Sequence, residues 1–198
     1  MGNKGLKDID FASMAAGYDE GFQGKASQRF YDLLLCEVEL WPDATVLDVG
    51  CGTGALLKKL YNTCAISGFG VDTEESMLVQ AAKNCPQMSF QRTRCDKLPF
   101  ADQSFDVLIA CMAYHHFDNR EGFAREAARV LKPGGVLYIA DPRFPWLVRK
   151  LLNGIARIVR VAGAFCNSQE IADRFASTGF TAVATAVDRY AQVIKLCK

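Results

Sequence analysis

The chain lacks the marks of several function classes. No C-x-x-C pair occurs among its 198 residues, and no Cys/His cluster stands at metal-ligand spacing, so no metal site is expected. No apolar run is long and uncharged enough to cross a bilayer. Residues 1–10 are polar and read as a disordered lead-in, without the apolar core of a signal peptide. Neither sign of charge prevails: 23 Lys and Arg stand against 22 Asp and Glu, for a formal net charge of +1. That balance gives no general pull towards nucleic acid or acidic lipid. No repeat, low-complexity stretch or linker divides the chain.

What is present fits one soluble α/β domain over residues 1–198, long enough to bury a full core. The eight cysteines are scattered, several of them inside apolar segments. They predict reduced, buried thiols and with them a cytoplasmic setting.

The chemistry gathers on residues 46–57, VLDVGCGTGALL. Val46, Leu47 and Val49 read as a short buried strand, and Ala55, Leu56, Leu57 and Leu60 as the apolar stripe of a following helix. Gly50, Gly52 and Gly54 lie between them, where a tight turn needs positive φ and no Cβ in the way. The helix start offers unpaired N–H groups to a carboxylate or phosphate above the loop. A backbone cradle for a nucleotide-like ligand follows. Gly50-x-Gly52-x-x-Ala55 satisfies the permissive dinucleotide fingerprint, with Asp72 at about the 20-residue spacing of a ribose-binding acid. A nicotinamide-dependent oxidoreductase is therefore one reading. Against it, Asp48 puts a carboxylate at the strand end, which suits an ammonium better than a pyrophosphate, and Gly54 falls one position early for that fingerprint.

Further strands are predicted over residues 66–71, 88–92, 105–110 and 135–140, and helices over 27–40, 54–62 and 119–131. Thr73, Glu74 and Glu75 open another helix, with acids in its first turn. Asn167 and Glu170 form a capping-box pattern, Gly179 closes that helix, and residues 181–187 and 192–197 read as an antiparallel pair. Alternating strand and helix argues a mostly parallel sheet covered on both faces.

Several motifs stand in one order: the glycine loop, Gly70-Val71-Asp72, Leu98-Pro99-Phe100, Ser104-Phe105-Asp106 and Leu131-Lys132-Pro133-Gly134-Gly135. With them the chain resembles the class I S-adenosylmethionine-dependent methyltransferases over residues 11–141, in the small-molecule branch that includes quinone-ring methyltransferases. The resemblance implies a Rossmann-like, doubly wound sheet of seven strands, mostly parallel with an antiparallel C-terminal strand. It also implies an N-terminal cap over residues 11–40, with residues 142–165 as a lid-like insertion.

For the cofactor, S-adenosylmethionine with S-adenosylhomocysteine as product, the resemblance points to the loop Gly50, Cys51, Gly52, Thr53 and Gly54. Asp48 and the carbonyls near Cys111 would take the ammonium, and the amides at Gly52 to Gly54 the carboxylate. Asp72, followed by Thr73, would accept from the ribose hydroxyls, or serve as a helix cap. Met77 would pack on adenine and the Cys95 N–H would meet its ring. Arg94 occupies the position where relatives commonly carry an acid near adenine, leaving Asp96 either to replace that acid or to turn to solvent. Tyr18 would close over the cofactor, or its helix would only cover a sheet edge. Cys51 has two readings, a thiol of depressed pKa at a helix start or a small side chain filling space beneath the loop. His115 and His116 are the candidates for a catalytic base, with a structural role as the alternative.

The most individual stretch is residues 144–162. At 100° per residue from Arg149, Arg160, Arg157 and Lys150 fall at about 20°, 80° and 100°. Leu147, Leu151, Ile155, Ile158, Val159 and Ala162 fall between about 160° and 280°. From Pro142 to Gln169 there are five basic residues and no acid. The segment reads as a lid with its apolar face over the substrate and its basic face in water, or as a weak contact with anionic membrane. RNA is disfavoured for want of interleaved aromatics. The expected activity is methyl transfer to a small-molecule or lipid-like acceptor. A non-catalytic adenosyl-ligand binding module is a further alternative.

Overall fold

A computed structural model of the chain describes residues 15–158 and 164–198. A 3-10 turn at Ala15–Gly17 leads into α1 (Phe22–Glu37). There follow β1 (Thr45–Val49), α2 (Ala55–Thr63), β2 (Ser67–Asp72), α3 (Glu75–Asn84), β3 (Ser89–Arg92) and β4 (Phe105–Cys111). A second 3-10 turn, Tyr114–His116, precedes α4 (Arg120–Val130), β5 (Leu131–Pro142), α5 (Trp146–Ile158) and α6 (Ser168–Ala176). The chain ends with β6 (Thr181–Asp188) and β7 (Ala191–Cys197).

The strands form one seven-stranded sheet in the order β3-β2-β1-β4-β5-β7-β6. β1 pairs in parallel with β2 on one side and β4 on the other, and β7 runs antiparallel between β5 and β6. The strand order reverses between β1 and β4, so the carboxyl ends of these two strands open the crevice where ligands of such sheets bind.

The central strands are apolar at both parities because both faces are covered. Val46, Val107 and Ile109 pack on one side with Leu57 and Leu60 of α2. Leu47, Leu108 and Leu137 pack on the other with Phe123 of α4 and Phe175 of α6. Leu98-Pro99-Phe100 is a structural motif here. Arg129 of α4 donates to the carbonyls of Leu98 (2.9 Å) and Phe100 (2.7 Å), while Glu126 accepts from the Leu98 N–H at 2.7 Å. Phe100 then sets its ring edge-on against Phe69 and Phe105.

The bounds of α1, which ends at Glu37, and of β5 differ from the sequence expectation. α1 begins at Phe22, five residues ahead of the predicted start. Gly24 makes that extension possible: a Cβ there would stand 2.3 Å from the Tyr18 carbonyl oxygen. β5 begins at Leu131 because Leu131 already pairs with Phe105, ahead of an irregularity in the ladder. The lead-in over residues 1–10 and residues 11–14 of the N-terminal cap lie outside the described residues, as do Val159, Arg160 and Ala162 of the 144–162 segment.

The capping box of α6 is complete: the Glu170 N–H donates to Asn167 Oδ1 at 2.8 Å, and the Asn167 N–H to Glu170 Oε2 at 3.0 Å. Asn167→Ala is expected to lower stability by about 1 kcal/mol. Urea unfolding should show it as a lower midpoint with an unchanged slope. An unshifted midpoint would mean that the cap contributes nothing.

Candidate functional site

The crevice holds a cleft of about 330 Å³ lined from the ends of β1, β2, β3 and β4 and from the cap before α1. Its wall brings together Tyr18, Gly50, Gly52, Asp72, Thr73, Met77, Cys95 and His116, eight of the positions singled out in the sequence.

Local geometry accounts for their meeting. Gly50 has φ of 82°, and a Cβ there would lie 2.5 Å from the Cβ of Ala113. Only glycine lets the loop after β1 and the segment after β4 come this close. On the β4 side, Met112 takes φ of 54° and donates its N–H to Ala140. A non-glycine residue in that region is a local strain of the kind found at ligand sites. Met112, Ala113 and Phe117 line the cleft as a result. Above the loop, Thr53 Oγ1 donates to Asp19 Oδ1 at 2.7 Å, which latches the segment carrying Tyr18 onto the glycine turn.

Asp48 lies beneath the loop and is 2% exposed. Its Oδ1 is buried with no partner among the described residues. Burial pushes its carboxyl up from 3.8 to about 8, and the neighbouring charge of Asp72 adds to that. Asp72 accepts twice, from the Gly52 N–H at 2.9 Å and the Glu74 N–H at 3.0 Å. It thus braces the glycine loop and turns the chain into α3, while still lining the cleft.

Other expected residues fall elsewhere. Gly54 is the left-handed residue at the start of α2 and donates to the Cys51 carbonyl. The Gly52 N–H is paired with Asp72, so both of these amides already have partners within the protein. Thr53 is buried as the latch. Cys51 is also buried, and its thiol is pushed well up by burial and by Asp48, which overturns the depressed-pKa reading. Cys111 lies behind the wall, raised in the same way. Cys95 reaches the cleft, with burial raising its thiol to about 12.

Asp96 is not among the residues lining the cleft, and its side chain is largely covered. It accepts from Arg94 at 3.0 Å and from Asn119 at 2.8 Å, and these bonds hold its carboxyl below the usual range. The acids on that part of the wall are Glu74 and Asp118, with Arg94 and Thr93 beside them. Thr93 and Asp118 carry no signal in the sequence, and Glu74 reads there only as part of a helix start, until the loops are folded together.

The two histidines separate. His116 lines the cleft. His115 is buried, with Asp141 Oδ1 accepting from its Nδ1 at 2.8 Å and Phe165 stacked on its ring at 5.2 Å. Arg120 donates to the His115 and Ala164 carbonyls, tying the two segments together.

An aspartate kept protonated by burial destabilises the fold at pH values where the unfolded chain would ionise it. The slope is therefore negative: stability falls as pH rises from about 4 to about 8 and is flat above. Asp48→Asn removes this ionisation and is expected to raise the melting temperature of the ligand-free protein at pH 8. Each kcal/mol relieved is worth about 2–4 °C, and the advantage should shrink as pH is lowered towards 4. Thermal melts across that range check it; an unchanged difference would sink the assignment.

Residues 47–139 match the methyltransferase domain family. The demethylmenaquinone methyltransferase of Desulfitobacterium hafniense is 32% identical over 203 residues, which cover 88% of this chain and 77% of that protein. The demethylmenaquinone methyltransferase of Chlorobaculum parvum is 37% identical over 109 residues, 55% of this chain. There the match spans 45% of the relative, so the chain accounts for less than half of its length. The crystal structure of a SAM-dependent methyltransferase from Aquifex aeolicus shares the fold, with a TM-score of 0.75 over 96% of this chain and 99% of that one, at 19% identity. Sequence, sheet order and these likenesses agree: the chain belongs to the class I S-adenosylmethionine-dependent methyltransferase family.

Proposed function

We propose that the cleft binds S-adenosylmethionine and that the protein transfers its methyl group to a small-molecule or lipid-like acceptor. The observation that carries this reading is Asp48. A buried carboxylate oxygen without a partner, at the end of the central strand, is a site in want of a cation. The cofactor's ammonium meets that want, whereas a nicotinamide dinucleotide would bring a pyrophosphate towards it. Asp72 is suited to the ribose hydroxyls, Met77 and the Cys95 backbone to the adenine, and Tyr18 to closing the cleft from above. The names of the two demethylmenaquinone methyltransferases support an acceptor of quinone or similar lipid-like character.

Bound there, the cofactor supplies a methyl group already activated by its sulfonium, so the protein's task is positioning and exclusion of water. The Asp19–Thr53 latch keeps Tyr18 over the cleft, and Phe117 and Met112 give it an apolar wall. His116 takes the proton of an acceptor hydroxyl or carbon acid on a ring nitrogen. His115 and Asp141 act beneath it as a buried pair that fixes the turn.

Calorimetry should show S-adenosylhomocysteine binding and no NADH binding; the reverse pattern would end this reading. Asp72→Ala is expected to weaken the product by about 1.5–3 kcal/mol, the value of a hydrogen bond to a charged group. His116→Asn should lower turnover of a phenolic acceptor by about a hundredfold or more while leaving S-adenosylhomocysteine affinity unchanged. His115→Asn should lower the melting temperature instead. Equal loss of cofactor affinity and turnover in His116→Asn would move that residue from proton transfer to cofactor binding.

A further inference from the structure

The helix α5 faces the opposite way from a lid. Arg149 is its only buried side chain among the described residues, and it pairs with Glu170 of α6. One turn on, the Asn153 amide bonds both backbone groups of Phe165, at 3.0 and 2.9 Å. The polar side of α5 therefore holds it to the protein. Its apolar side lies outward: Leu147 is 72% exposed, Leu151 64%, Ile155 47% and Ile158 81%. These positions recur on one face of a helix.

We propose that this face docks the protein on an anionic lipid bilayer. Four exposed aliphatic side chains in one stripe need a cover, and the charges beside them say which. Arg143, Lys150 and Arg157 are exposed around the stripe. No acid occurs between Pro142 and Gln169 to repel an anionic surface. Trp146 is exposed and carries the Lys150 ammonium over its ring at 4.3 Å. An indole with a cation over its face suits the headgroup zone, with the aliphatic stripe below it among the acyl chains. A helix pinned by Arg149 and Asn153 presents this face without rearrangement. The surface is independent of the reaction at the cleft, although it would bring the cleft close to a lipid-soluble acceptor.

The test is co-sedimentation of the full chain with vesicles of phosphatidylglycerol and phosphatidylcholine, beside vesicles of phosphatidylcholine alone. Binding is expected to the anionic vesicles at low salt and to weaken as salt is added. Lys150→Gln with Arg157→Gln should lower partitioning about 25-fold, at about five-fold per charge. Leu151→Ser with Ile155→Ser should abolish it. Both pairs sit on the surface, so S-adenosylhomocysteine affinity and the melting temperature should stay at parent values. Those controls separate a failure of this proposal from a failure of the cofactor reading. A parent protein left in the supernatant at low salt overturns the proposal, as does equal binding to neutral vesicles. Light scattering adds a third outcome: a dimer that Leu151→Ser with Ile155→Ser makes monomeric, without vesicle binding, assigns the face to a second copy of the chain.

Discussion

The structure depends on a close approach. The loop after β1 and the segment after β4 meet where Gly50 has no Cβ to hold Ala113 away. The β1 and β4 sides of the cleft wall meet at that contact. It brings the β1 end, with Asp48 beneath, against the turn that carries His116 and Phe117. The reversal of strand order between β1 and β4 opens the crevice, and the missing side chain at Gly50 sets its width. The strained backbone at Met112 belongs to the same arrangement, since the chain must leave β4 sharply to stay within reach of the loop.

Asp48 shows what such a site costs. An ionised, unpartnered carboxylate is the least favourable group a core can hold, so Asp48, among the apolar residues of β1, is pushed towards its protonated form. The protein bears the penalty in the ligand-free state, and a cation entering the cleft would relieve it. Around it the other charged groups of the loop are satisfied internally: Asp72 by two N–H groups and Asp19 by Thr53. One uncompensated group in a compensated shell is how a site selects ligand charge.

Much of this was legible in the sequence, for physical reasons. Glycine in a strand-to-helix turn, an acid at a strand end and apolar runs at strand length each reflect a local constraint. β1 to β4 accordingly lie within a residue or so of their expected bounds. The capping box of α6 was legible for the same reason, being a contract between residues three apart. Contacts between distant loops were not. Asp96 turned to Asn119, Thr53 to Asp19 and His115 to Asp141, and the types of those residues did not announce their partners. Glu74, Thr93, Arg94 and Asp118 reach the wall only because three strand ends and a turn converge there.

The helix α5 marks the boundary between the two kinds of information. Its wheel divides basic from apolar correctly, because periodicity is a property of the helix itself. Which side faces the protein is not, and burial of the apolar side is only the usual outcome. Here two polar residues one turn apart, Arg149 and Asn153, find partners in Glu170 and the Phe165 backbone. An arginine paired to a carboxylate, with an amide bonding both backbone groups of one residue, is a directional anchor, which aliphatic packing is not. Once those bonds form, the apolar stripe must lie outward. An amphipathic helix next to charged partners can therefore be read for its faces but not for its orientation. The deciding residue, Glu170, lies in another helix 21 positions from Arg149.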